Sequence, residues 1–145
     1  MFSAKRILNG TFGQVWLDSD LVSECYGCKL AVKATKEKVH IAGQMAIDTK
    51  VTDIELTGSI KLNKCNSRMA RLIGDKIKSG HDVRFTIISK VNDPDAYGAE
   101  RVCVTGVSFD DLTIADWEGG KLSQTECPFT YTDYKFLDLI PEEDE

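Results

Sequence analysis

No apolar run in this 145-residue chain approaches the roughly 20 residues a membrane-spanning helix needs, and its start does not resemble a secretory signal. Export through a hydrophobic signal is therefore not expected. Catalytic signatures are equally scarce. The two histidines, His40 and His81, sit beside no plausible nucleophile and share no local motif with an acid. Gly10-Thr11-Phe12-Gly13 lacks the Lys-Ser/Thr ending of a phosphate loop and precedes a strand pattern where a phosphate loop precedes a helix. Asn92-x-x-Asp95 lacks the twelve-residue loop and terminal Glu of a calcium site. The acid pairs Asp110-Asp111 and Asp93/Asp95 fall in turns, where carboxylates ordinarily solubilise or cap. Cys25 and Cys28 form a C-x-x-C, but no second pair completes a zinc site and no βαβ pattern makes it a redox helix. Cys65, Cys103 and Cys127 have no ligand spacing, so all five thiols are expected to be structural and mostly buried. Neither a cofactor nor a metal is implied, and the chain does not read as an enzyme.

Charge is present but divided. Residues 1–90 carry 15 Lys or Arg against 9 Asp or Glu, a net of +6; residues 91–145 carry 3 against 14, a net of −11. The basic residues are spread over alternating strands and not gathered with stacking aromatics, which argues against a dedicated nucleic-acid binder. A polarised subunit can pack positive face to negative face in an assembly, or both halves can simply be solvated. Length and a 42% hydrophobic content suit one domain, 1–145, with its own core. Its ends read as a flexible N-terminal arm, 1–11, and an acidic C-terminal tail, 139–145.

The periodicities are mostly those of strands. Ile54, Leu56, Ile60 and Leu62 alternate with Asp53, Glu55, Ser59 and Lys61, and Gly58 interrupts the apolar row, which predicts a bend or a close backbone approach. Val15 and Leu17 share a face opposite Trp16, and Asp-Ser-Asp then predicts a turn into a partner strand near Leu21. Leu30, Val32 and Ala34 alternate inward, but Val39 and Ile41 fall on the other phase, so a bulge or loop is needed after Thr35 for both sets to share a core. The segment 36–52 is compatible with a long projecting hairpin or with two more core strands. Val102 and Val104 change phase to Val107 and Phe109 across Gly106; Leu112 and Ile114 suggest a short strand; Cys127, Phe129 and Tyr131 alternate in the last one, where Pro128 argues for an edge or bulge. A single helix, 67–78, is spaced by Met69, Leu72, Ile73 and Ile77, with Asn66 or Ser67 as cap and Gly80 as stop. Eight or nine strands and one helix predict an α+β fold: a mainly antiparallel β-sandwich or distorted β-barrel flanked by one α-helix.

The order of these pieces resembles a family. Gly13-x-Val15-x-Leu17-Asp18, the polar segment 36–51, Gly58 in its strand, the helix, Glu100-Arg101-Val102, Val107-x-Phe109-Asp110 and Pro128-Phe129-Thr130-Tyr131-x-Asp133-Tyr134 are similar to the tail tube proteins of contractile phage tails. The likeness is to the XkdM-like branch of Bacillus and Clostridium prophages, which includes tube subunits of phage-tail-like bacteriocins such as the Clostridium difficile diffocin. Cys25 and Cys28 lie outside the family pattern. The resemblance implies a structural subunit whose hexameric rings stack into a hollow tube inside a contractile sheath. The tube is driven through the target envelope on contraction, with DNA passing non-specifically through the lumen if the particle is a phage. It implies self-association, contacts with sheath, baseplate and tail terminator proteins, assembly in the host cytoplasm, and residence in a virion tail or released bacteriocin. Carried over by position, the projecting loop 36–51 would reach a neighbour with Lys36, Lys38, Val39, Ile41, Met45, Ile47 and Lys50, and the helix would present Arg68, Arg71, Lys76 and Lys78. The alternatives are an inner-tube subunit of a type VI secretion-like system and an unrelated small β-rich binding domain or enzyme.

Overall fold

Eight antiparallel strands carry the fold in the computed structural model, which describes residues 2–142. They are β1 (Gly13–Leu17), β2 (Asp20–Leu21), β3 (Cys25–Val39), β4 (Asp48–Asn63), β5 (Phe85–Val91), β6 (Glu100–Phe109), β7 (Gln124–Thr130) and β8 (Asp133–Asp138). Their order across the sheet is β2-β1-β5-β6-β7-β4-β3, with β8 also pairing with β6. The strand that forks is β6. Its first half, Arg101–Thr105, pairs with β8, and its end, Ser108 and Phe109, pairs with β7. Between the two lies Gly106, at φ +68, where an added Cβ would collide with the Thr132 side chain. The sheet folds over at that point, and the shift puts both Val104 and Val107 in the core despite their odd spacing.

The core is an apolar cluster that includes Val15, Leu17, Ile60, Ile87, Val104, Val107, Phe129 and Tyr131. Phe109 meets Phe85 and Phe129 edge to face at centroid distances of 5.7 and 5.6 Å, a favoured aromatic geometry. Gly58 is required here. A Cβ would lie 2.5 Å from the Lys29 carbonyl oxygen and 2.9 Å from the Phe129 ring. The turn after Leu17 places Asp18 and Ser19 at positive φ, as a tight two-residue hairpin demands. Pro128 takes nothing from the β4 ladder, because its missing N–H lies on the same side of β7 as its carbonyl, which accepts from the Asp110 amide just past the end of β6.

Two expectations need correction. Leu112 and Ile114 form no strand: 110–123 is irregular, with Leu112 half-buried and Ile114 exposed. The helical segment, 68–78, is not a uniform α-helix either, since Ala70–Gly74 is π-helical and only Asp75–Lys78 (α1) follows as α-helix. Gly74 within it lies near Leu112, whose side chain would be 3.7 Å from an added Cβ. The ends match their signals. Asn66 accepts from the Arg68 amide at 3.0 Å, and Gly80, at φ +82, closes the segment through His81 N–H to Lys76 O and Gly80 N–H to Ile77 O.

Candidate assembly surface

The strands β3 and β4 are 15 and 16 residues long, and they pair from Cys25/Leu62 out to Val39/Asp48. Only the near part belongs to the body. Every residue from 32 to 55 is exposed, so the outer half of the ladder has solvent on both faces. Tyr131 pins the place where it leaves the body, its hydroxyl donating to the Ala31 carbonyl at 2.8 Å. The segment 36–51 is thus the far end of a hairpin, with only 40–47 outside the ladder.

The two faces differ in chemistry. On one, the core row Leu62, Ile60, Gly58 and Leu56 of β4 runs outward into Ile54, with Leu30, Val32 and Ala34 opposite on β3. A register shift follows: Thr35 pairs with Asp53 but Lys36 with Val51, leaving Thr52 as the extra residue, its hydroxyl donating to the Thr35 carbonyl at 3.3 Å. This bulge sets Val51 on the same face as Ile54. The phase break expected after Thr35 is therefore found, but on β4; it realigns Val51 and leaves Val39 on the opposite face. Val32, Val51 and Ile54 are each about half exposed, an apolar stripe that continues the core into solvent. The other face is small or charged: Lys29, Ala31 and Lys33 on β3 opposite Ser59, Thr57 and Glu55 on β4.

The residues expected to contact neighbours are exposed, with one exception. Lys36, Lys38, Val39, Ile41, Met45, Ile47 and Lys50 all lie on the far hairpin, and the Met45 side chain is fully exposed. Arg71, Lys76 and Lys78 are exposed on the helical segment. Arg68 is committed internally. Its Nε donates to Glu24 Oε1 at 2.7 Å and a terminal nitrogen donates to Oε2 at 3.4 Å, while Asn66 adds a third bond at 3.4 Å. The Glu24 side chain is nearly inaccessible, and the bond from Arg68 holds its carboxyl below the ordinary value against the opposing effect of burial.

The N-terminal segment is tied to the body. Asp93, itself buried, accepts from the Asn9 amide at 2.9 Å, and Arg6 stacks over the Tyr97 ring at 4.9 Å while donating to the Asp95 carbonyl. Phe2 and Ile7 remain exposed beside this anchor. Missed altogether by periodicity are Trp117 and Leu122, which stand out from the 110–123 loop at 83 and 95% exposure, beside Ile114 at 87%. A large apolar residue inside an irregular acidic loop has no period to reveal it.

Two grooves flank the base of β3. One, of about 550 Å³, runs between β3 and β1, which approach without pairing, and is lined by Gln14, Cys25, Cys28 and Ser89. The other, of about 460 Å³, is lined by Leu30, Val32, Val102, Tyr134 and Phe136. The expectation of mostly buried thiols is not met: only Cys127 is buried, Cys25 and Cys103 are intermediate, and Cys28 and Cys65 are exposed. Although Cys28 is exposed as a residue, its thiol faces the grooves, where burial pushes its pKa up to about 11 against a bond from Ser89. A bulge at Tyr26 turns Cys25 to the same face as Cys28. Such protonated thiols are poor nucleophiles and poor ligands. Among the described residues no cluster of three metal-ligating side chains occurs.

Comparisons with known proteins agree with this geometry. The chain is 29% identical over 133 residues to the phage-like element PBSX protein XkdM of Bacillus subtilis (strain 168), covering 90% of each chain. It is 28% identical over the same length to protein YqbM of that organism. In fold it is similar to a chain in the extended-state sheath-tube complex of the PVC extracellular contractile injection system, with a TM-score of 0.74 over 94% of this chain and 95% of that one at 6% identity. It is similar also to a chain of the tube-terminating cap of the anti-feeding prophage, with a TM-score of 0.72 over 96% of each at 8% identity. Residues 1–138 match the family described as phage tail tube protein. The chain belongs to the phage tail tube protein family and is a structural subunit by descent.

Proposed function

We propose that this protein is the inner-tube subunit of a contractile phage tail or phage-tail-like bacteriocin. Six copies form a ring, rings stack into a hollow tube, and a sheath encloses it and drives it through the target envelope. The observation that carries the reading is the hairpin whose apolar face continues the core row beyond the body through Ile54 and Val51. A stripe of this kind, supported by a bulge that keeps it in phase, is an interface waiting for its other half. The mechanism is mechanical. A rod pushed from one end needs many moderate contacts, and a two-stranded arm rooted in the core at Ile60 and Leu62 transmits load into the body.

The fold neighbours come from sheath-tube, terminator, baseplate and cap structures, which supports sheath, baseplate and terminator proteins as partners here. Assembly in the host cytoplasm precedes residence in the tail or the released particle, and in a phage DNA passes through the lumen. Arg71, Lys76 and Lys78 on the helical segment, together with Lys36, Lys38, Val39, Ile41, Met45, Ile47 and Lys50 on the far hairpin, are the contact residues under this reading.

The test is negative-stain electron microscopy with light scattering on the purified chain and on a deletion of residues 43–50, each alone and beside baseplate and sheath partners. Rings or hollow rods are expected from the intact chain and a folded monomer from the deletion. Long tubes from the deletion would remove the hairpin from the mechanism. An intact chain that stays monomeric beside its partners would overturn the tube reading itself.

A further inference from the structure

Residues 3–12 form a strap fastened to the 92–98 turn by polar contacts. Asp93 is the hub. One of its carboxylate oxygens accepts the Asn9 amide at 2.9 Å, the other accepts the Asp95 amide at 2.9 Å, and no cation pairs with it among the described residues. Arg6 adds its bond to the Asp95 carbonyl and its stack on Tyr97. Asn9 sits where the strap joins the body, and its side-chain oxygen caps the short 3-10 turn Gly10–Phe12 by accepting from the Thr11 amide at 3.0 Å. It is also the one asparagine of four that is followed by glycine; Asn63, Asn66 and Asn92 precede Lys64, Ser67 and Asp93. An asparagine side-chain carbonyl is open to attack by the backbone nitrogen of the next residue, and glycine presents that nitrogen with no side chain to obstruct it. Both residues are exposed, and no atom beyond its chain neighbours lies within 4 Å of the place a Cβ on Gly10 would take. We propose that Asn9–Gly10 is a self-modifying site gated by the strap. Docked, the strap keeps the pair intact; lifted, it lets the pair close to a succinimide that reopens as aspartate or isoaspartate.

The chemistry needs only water. The Gly10 nitrogen gives its proton to solvent, its electron pair bonds to Asn9 Cγ, and the Cγ–Nδ2 bond breaks as ammonia leaves with a proton from solvent. Water then opens the cyclic imide: attack at Cγ gives aspartate, and attack at the backbone carbonyl gives isoaspartate. The docked strap withholds the geometry for the first step. At ψ 116 the Gly10 nitrogen is rotated away from the Cβ side of Asn9, and the Asn9 side chain is held on Thr11. Closing the ring means turning Asn9 about that bond, which its amide tie to Asp93 and the Arg6 contacts oppose. After hydrolysis the strap cannot redock as before. A carboxylate now stands on the residue whose amide touches Asp93, a buried acid without a cation, and like charges so placed repel. Isoaspartate also adds a carbon to the backbone and moves residues 3–8 out of step with Asp95 and Tyr97. The latch is a property of the single chain, and its opening is recorded permanently in the covalent structure.

Peptide mapping by mass spectrometry reads the site directly. The full chain is aged in warm, mildly alkaline buffer, folded or in urea, and digested with trypsin, while enzymatic methylation marks isoaspartate. Conversion concentrated at Asn9, and about tenfold or more slower in the folded chain than in urea, is expected. Arg6→Ala, which leaves Asp93 and its two amide bonds in place, should speed conversion of the folded chain several-fold with thermal unfolding unchanged. Asp93→Ala should speed it about tenfold, the loss of one charge-assisted bond. Aged protein should be cut by trypsin after Arg6 faster than fresh protein, and Asn9→Gln should abolish that difference. Conversion at Asn63, Asn66 or Asn92 ahead of Asn9, or none at Asn9 in any folded variant, would overturn the site. Equal rates in the folded chain and in urea, or rates indifferent to Arg6→Ala, would overturn the gate. Aged chains cut after Arg6 no faster than fresh ones would overturn the latch.

Discussion

From Leu56 to Asn63, β4 has one buried face; from Asp48 to Glu55 the same strand, still laddered to β3, has none. Hydrogen bonding is alike in the two halves. What differs is what stands over the apolar row. Ile60 is fully covered by the body, with Cys127 beside it on β7, whereas Ile54 has nothing above it. Burial of an aliphatic side chain is worth about 1.5–3 kcal/mol, so the near half stabilises the monomer, while Val51 and Ile54, each about half exposed, would gain roughly half of that if a neighbour covered them. One continuous ladder thus has a covered half and an open half, divided near Tyr131 where it leaves the body.

Truncating the near half should therefore have the largest effect on folding. Phe129→Ala removes a fully buried ring that meets Phe109 edge to face at 5.6 Å and lies 6.3 Å from Tyr131. A loss of about 3–5 kcal/mol is expected in urea titrations of the monomer. A cost below about 1 kcal/mol would mean that the body is not a packed core and that the division between the halves is unreal.

A smaller cost attends the tie between the body and the helical segment. Arg68→Met leaves the Glu24 carboxylate without its cation in a nearly inaccessible place, at a cost of about 2 kcal/mol near neutral pH. The sign with pH follows from the lowered folded-state pKa. The pair stabilises fully above the ordinary carboxylate value of 4.5 and loses its contribution as pH falls through the folded-state value. Urea midpoints of the two proteins should differ most near pH 7 and converge below pH 4.5. A gap that stayed constant with pH would assign the loss to packing of the Arg68 stem and not to the ion pair.

Much of this division was legible before any coordinates. The alternation of Val15 and Leu17 around Trp16, the phase change at Gly106 and the crowding at Gly58 are local patterns, and each emerged where the periodicity put it. The extra residue Thr52 was harder, because the phase break shows in β3 while the bulge that answers it sits across the ladder, and register is a property of two strands. Leu112 and Ile114 alternate like a strand but have no neighbour to pair with, so they remain a loop. The π-helical turn left no signal, since Met69, Leu72, Ile73 and Ile77 suit an α-helix as well. Arg68 looked like a free surface cation because its partner, Glu24, is 44 residues away in sequence.

The smallest expected effect on folding is the most informative about assembly. Ile54→Thr keeps the β-branch and the strand preference and removes apolar surface that only a neighbour would cover. In the monomer its cost should stay within about 0.5 kcal/mol, since the side chain is more than half exposed and pairs with Ala34 alone. In the tube, each subunit repeats the loss, so a modest penalty per interface multiplies along the rod. Pelleting of assembled tubes over a concentration series should therefore shift markedly while the urea midpoint of the monomer does not. If both moved together, Ile54 would belong to the folding unit after all; if neither moved, the apolar stripe would face the solvent even in the assembly, and the hairpin's other face, with Lys33 and Glu55, would be the one that meets a neighbour.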